Sequence, residues 1–83
     1  MVKYKRKFNC SPEEYRALQI ARNNVISYKV LIRHLEIYAE ELKSLGLEEE
    51  ALKQEEAAGR LVKDLRYWEK EAERLEAMCF GKE

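Results

Sequence analysis

Proline and glycine are almost missing from this chain: one Pro and three Gly in 83 residues. Breakers so few exclude a loop-rich or all-β architecture, whose turns consume both residue types. Long apolar runs are missing as well. No stretch approaches the roughly 18 residues of a membrane span, and the amino terminus carries no apolar core of the signal-peptide kind. A cytoplasmic chain with no membrane partner is therefore expected. Histidine is scarce too, His34 alone, and no CxxC or HxxxH spacing exists, so a zinc site would need ligands from several chains. No glycine-rich loop cradles a phosphate, and no nucleophile has an adjacent base. Glu40 with Glu41 and Glu55 with Glu56 read as solvated helix faces, not acid/base pairs. The expectation is no catalytic residue, no metal, no cofactor and no small-molecule substrate.

What is present is charge, 39% of the residues. With Ala, Glu, Lys, Leu and Arg dominating, this is the composition of long surface helices or a coiled coil. The fold class is accordingly all-α, within a single small domain. A chain of this size has a thin core and usually needs a staple or a second subunit.

The first helix has a clear start at SPEEY. Ser11 suits the N-cap, Pro12 the first helical position, and Glu14 can close a capping box, with Glu13 beside it at the positive end of the helix dipole. No further Gly or Pro occurs until SLGLEEE, where Gly46 suits a C-cap, Leu47 its hydrophobic contact, and Glu48 to Glu50 a new first turn. The reading is a basic extended arm at 1–10 and a helical hairpin at 11–80. Helix 1 occupies about 12–44, the turn 45–47 and helix 2 about 48–79, with Cys79, Phe80 and Gly81 ending the second helix and a tail at 81–83.

So short a turn makes the helices antiparallel neighbours. A heptad seam runs through Leu18, Ala21, Val25, Tyr28, Ile32, Leu35, Ala39 and Leu42, and another through Ala51, Gln54, Ala58, Leu61, Leu65, Trp68, Ala72 and Leu75. Folding at Gly46 pairs residues whose numbers add to 93, which sets Leu42 against Ala51, Ile32 against Leu61 and Leu18 against Leu75. Gln54 is the one polar member. Gly59 lies off the seam, as a tolerated surface glycine or a close-approach point. Trp68 belongs to the seam, and Tyr67 points away from it as a contact anchor or a lone surface residue.

Helix 1 carries a second apolar flank. Between Ala17 and Ala39 it has only four charges, at Arg22, Lys29, Arg33 and Glu36, whereas residues 47 to 83 hold eighteen. Ile20, Val30, Leu31, Ile37 and Tyr38, with Ile26 beside them and His34 among them, form a stripe too apolar for an idle surface. These seven residues are the expected protein interface. The simplest partner is a second copy, giving a homodimeric four-helix bundle. The expected role is non-enzymatic: an adaptor, regulator or inhibitor that occupies another protein's surface. Its compact size and lack of a motif suit a phage or mobile-element product.

Net charge is zero but unevenly spread: +4 over residues 1–11, 0 over 12–46 and −4 over 47–83. In the stretch VKYKRKF, Lys3, Lys5, Arg6 and Lys7 make up the whole basic excess, and a second reading has them contact nucleic-acid phosphates. The basic charge reads as local to this arm, since no basic face of the fold accompanies it. The alternation of VKYKRKF suits a strand added to a partner's sheet, two arms paired across a dimer, or a basic tail. Cys10 and Cys79 come to the same open end of the hairpin. Two free thiols are the expectation there, because an intracellular chain keeps them reduced, with a disulfide as the lesser reading.

Overall fold

The computed structural model describes residues 10–81, so the arm at 1–9 and the last two residues lie outside the described residues. Two α-helices, α1 (Pro12–Ser44) and α2 (Glu48–Phe80), each of 33 residues, pack side by side as a hairpin, with no strand among the described residues. At 1.5 Å per residue each is about 50 Å long, which accounts for a molecule measuring 58 × 25 × 20 Å.

The start of α1 is built as its residues require. Ser11 is extended, its Oγ accepts from the Glu14 N–H at 3.1 Å, and its own N–H donates to Glu14 Oε1 at 2.9 Å, closing the capping box behind Pro12. At the other end the C-cap is Leu45, and Gly46 sits one place beyond it at φ 81. The Leu47 N–H donates to the Leu42 carbonyl at 2.9 Å and the Gly46 N–H to that of Lys43 at 3.0 Å, a complete Schellman pair that satisfies the last carbonyls of α1. The second helix begins without a side-chain cap, three glutamates in its first turn standing at the positive end of its dipole. It ends within one residue of the expected place: Phe80 is its last residue, and Gly81 at φ 51 is the left-handed cap that stops it.

All sixteen seam residues are buried or half-buried, Gln54 among the half-buried. No buried side-chain nitrogen or oxygen among the described residues lacks a partner. The core is tightest at the ends. Cys10, Leu18, Ala21, Leu75 and Cys79 cluster at the open end, with Tyr15, Trp68, Ala72 and Phe80 packed against them, while Ala39, Leu42 and Ala51 cluster by the turn. Alanines let the helices approach there. Between the clusters Val25, Tyr28, Leu35, Leu61 and Leu65 are only half-buried, because two helices cannot enclose larger side chains on all sides.

Two cross-helix ion pairs run beside the seam: Arg22 Nη2 to Glu76 Oε2 at 3.0 Å and Lys43 Nζ to Glu55 Oε2 at 2.7 Å. In both, the residue numbers add to 98, and each partner directly follows a seam residue: Ala21, Leu75, Leu42 and Gln54. That is the flank pairing an antiparallel seam summing to 93 produces, so one register holds along the hairpin.

The cysteines depart from expectation. Cys10 and Cys79 form a disulfide across a sequence separation of 69, their Cα atoms 4.5 Å apart, and no described cysteine is free. The continuation of α2 through Cys79 extends the seam by one position and turns that residue fully inward, while the capping box holds Cys10 just ahead of α1. The staple a small core needs is thus covalent. Gly59 meets nothing within 4 Å of where a Cβ would stand, so within this chain it is a surface glycine.

Candidate interaction surface

The seven residues expected at an interface are all exposed. Ile20, Val30, Leu31, Ile37 and Tyr38 show between 46% and 50% of their surface, Ile26 shows 61%, and His34 is exposed with them. Aliphatic side chains this open on a helix whose other face is packed need a reason beyond ordinary surface composition. The seam accounts for it. Residues at 18, 21, 25, 28 and onward use one side of α1, and the positions between them recur on a flank of their own.

That flank has an order of its own. Ile20, Asn24, Ser27, Leu31, His34 and Tyr38 follow spacings of four and three, a second heptad row, and Val30 and Ile37 stand directly beside it. Ile26 lies on the opposite edge of the flank, one turn from Lys29 and two from Arg33. There an open groove passes between the helices, lined by Lys29, Val30, Ile32, Arg33, His34, Glu36, Val62 and Leu65. It lies along the stretch where Leu35, Leu61 and Leu65 of the seam are half-buried and only Ile32 and Ala58 are buried.

Other exposed apolar residues fall outside the expected set: Leu45 and Leu47 at the turn, and Leu52, Tyr67 and Met78 on α2. Of these, Tyr67 is the off-seam residue expected as a contact anchor or a lone surface residue, and Leu52 and Met78 likewise stand off the seam. Tyr67 is 57% exposed and meets Trp68 edge to face, the ring centroids 5.0 Å apart at 82°. Trp68 packs against the core cluster at the bridge, as its seam position requires.

The electrostatics are those of a solvated surface. The Lys43 ammonium is held above its ordinary pKa, first by its hydrogen bond to Glu55 and then by the charge of that carboxylate. The Arg74 guanidinium is raised in the same way by Glu71, 2.8 Å away on the same helix. No group of three His, Cys, Asp or Glu among the described residues could hold a metal ion, and no described helix is long and apolar enough to cross a membrane. Lys3, Lys5, Arg6 and Lys7 lie outside the described residues. No family model matches the chain, and neither does any curated protein or solved structure.

Proposed function

We propose that this protein is a non-enzymatic interaction module, an adaptor, regulator or inhibitor, whose working surface is the outer apolar flank of α1. The observation that carries this reading is the exposure of Ile20, Val30, Leu31, Ile37 and Tyr38 on one uninterrupted helix whose seam residues are buried or half-buried. The occupant we assign to the flank is first a second copy of the same chain. A heptad row free of charge from Ile20 to Tyr38 can meet its own copy antiparallel without opposing like charges, and an isologous contact of that kind closes as a dimer. Two hairpins so joined make a four-helix bundle with α2 outermost. The covalent staple weakens one argument for self-association, that of a core too small to stand alone, and leaves the exposed flank to support it.

Contact with nucleic acid through Lys3, Lys5, Arg6 and Lys7 is a second proposal, supported by the +4 charge of the first eleven residues. The cytoplasmic location also stays a proposal. It stands in tension with the Cys10–Cys79 bridge, which an oxidising compartment preserves and a reducing one opens.

Light scattering of the full chain at micromolar concentration tests the leading reading. The expected result is a dimer that Val30→Glu or Ile37→Glu converts to a helical monomer. A parent protein that is monomeric, with stability indifferent to both substitutions, would sink it.

A further inference from the structure

Helix α2 carries ten carboxylates against six cations, and the net −4 conceals how they are sorted around its axis. Glu55, Glu69 and Glu76 directly follow Gln54, Trp68 and Leu75, and Glu50, Asp64 and Glu71 precede Ala51, Leu65 and Ala72 by one, so these six carboxylates occupy the flanks that face α1, while Glu49, Glu56 and Glu73 stand on the outer side. A cause lies in α1, which from Tyr15 to Leu35 holds Arg16, Arg22, Lys29 and Arg33 and no acid. Carboxylates are favoured beside such a helix, as Glu76 on Arg22 illustrates.

The cations are left pointing outward. Arg60, Lys63, Tyr67, Lys70 and Arg74 succeed one another at spacings of three and four on the side of α2 opposite the seam, and all five are exposed. No carboxylate falls between Arg60 and Arg74 in this row, which is about 21 Å long with neighbours about 5 Å apart; Glu56 stands in line with it one turn before Arg60, and Glu73 lies one turn from Lys70. Among the described residues no ion pair engages Arg60, Lys63 or Lys70, and Arg74 is held only by Glu71 of its own helix.

We propose that this outer face of α2 binds the phosphate backbone of a nucleic-acid duplex. A straight row of single positive charges is complementary to a linear polyanion, and Tyr67 at its centre offers a hydroxyl to a phosphate oxygen. A lipid surface fits less well, because adsorption needs an apolar side free to sink into the headgroups, and the apolar side of α2 is packed on α1. A single strand fits less well too, because the face is convex and carries one aromatic, not a groove with stacking platforms. The inference stands whether or not α1 self-associates. It also extends nucleic-acid contact from the arm to a face of the fold.

The test measures fluorescence anisotropy of a short labelled DNA duplex titrated with the full oxidised chain over a range of salt. Micromolar binding at low salt is expected. Arg60→Gln, Lys63→Gln, Lys70→Gln and Arg74→Gln combined should weaken it at least tenfold and reduce the slope of log affinity against log salt by about 3.6, four phosphates at ~0.9 each. With Lys3, Lys5, Arg6 and Lys7 all changed to Ala, binding should fall but keep a slope owed to the face. The proposal is overturned if the four-glutamine variant, helical by circular dichroism, binds duplex as the parent does. It is equally overturned if the arm variant alone abolishes binding, if single strands of the same sequence bind more tightly, or if phosphatidylserine vesicles bind and duplex does not.

Discussion

Arg22 Nη2 lies 3.0 Å from Glu76 Oε2, and 21 residues along each helix Lys43 and Glu55 repeat the contact at 2.7 Å. Twenty-one residues are three heptads, so neither helix slips against the other between the two pairs. The pairs themselves are open to solvent, the Arg22 and Glu76 side chains being 39% and 54% exposed. Contacts this open to solvent supply little stability. Their role is to report the register; the buried seam and the bridge supply its stability.

Leu18 is fully buried in the cluster at the bridge, whereas Leu31 is 49% exposed on the outer flank. Leu18→Ala should cost about 3 kcal/mol at any protein concentration. Leu31→Ala should cost under about 0.5 kcal/mol in an isolated hairpin, and more, in a concentration-dependent way, if the flank is covered by a second copy. Urea unfolding at two protein concentrations separates the cases.

Two glycines with equal room should respond with opposite sign. Neither Gly46 nor Gly59 has anything within 4 Å of a built Cβ. At Gly46 the φ of 81° is left-handed, so Gly46→Ala should destabilise by about 1 kcal/mol on conformation alone. At Gly59, inside α2, alanine should stabilise by about 1 kcal/mol. A loss of stability on Gly59→Ala would reveal a second molecule packed against that turn of the helix.

Opening the Cys10–Cys79 bond removes a cross-link spanning 69 residues, worth about 4 kcal/mol in the chain-entropy account. Oxidised and reduced forms of the unmutated protein should therefore differ clearly in urea midpoint, while both remain helical in native buffer. Coincident midpoints would show that the bridge does not act as the staple.

Lys43 titrates above its ordinary value of 10.5 because Glu55 binds its ammonium. A folded-state pKa above the unfolded one means the contribution is fully present below about pH 10 and is lost as pH rises through the raised value. The parent should therefore lose stability to alkali over that window more than Lys43→Gln does, by an amount that shrinks with added salt. Superimposable pH profiles would remove the pair from the account.

Much of the fold is legible in the sequence because its signals are local. Ser11, Pro12 and Glu14 specify one helix start, Gly46 one stop, and the two heptads one antiparallel pairing. The end of α2 is legible to within a residue, since Gly81 stops it, and Cys79 turns inward because it stands four places after Leu75, at the next seam position. The bridge is not legible because pairing depends on the redox state of the compartment as well as on geometry. The angular sorting of charge on α2 is hidden in a segment sum: Asp64 and Lys63 cancel there yet occupy different sides of the helix. The apolar flank survived the same averaging because few charges share its stretch of α1.

The bridge also changes how the molecule would bear tension. A pull on residue 1 against residue 83 travels from Cys10 directly to Cys79 and bypasses both helices, so the hairpin is shielded from force and stays short. Reduction transfers the load to the helices and frees roughly 69 residues of contour, about 240 Å when drawn out. One covalent bond thus decides whether these termini join a rigid link or an extensible tether.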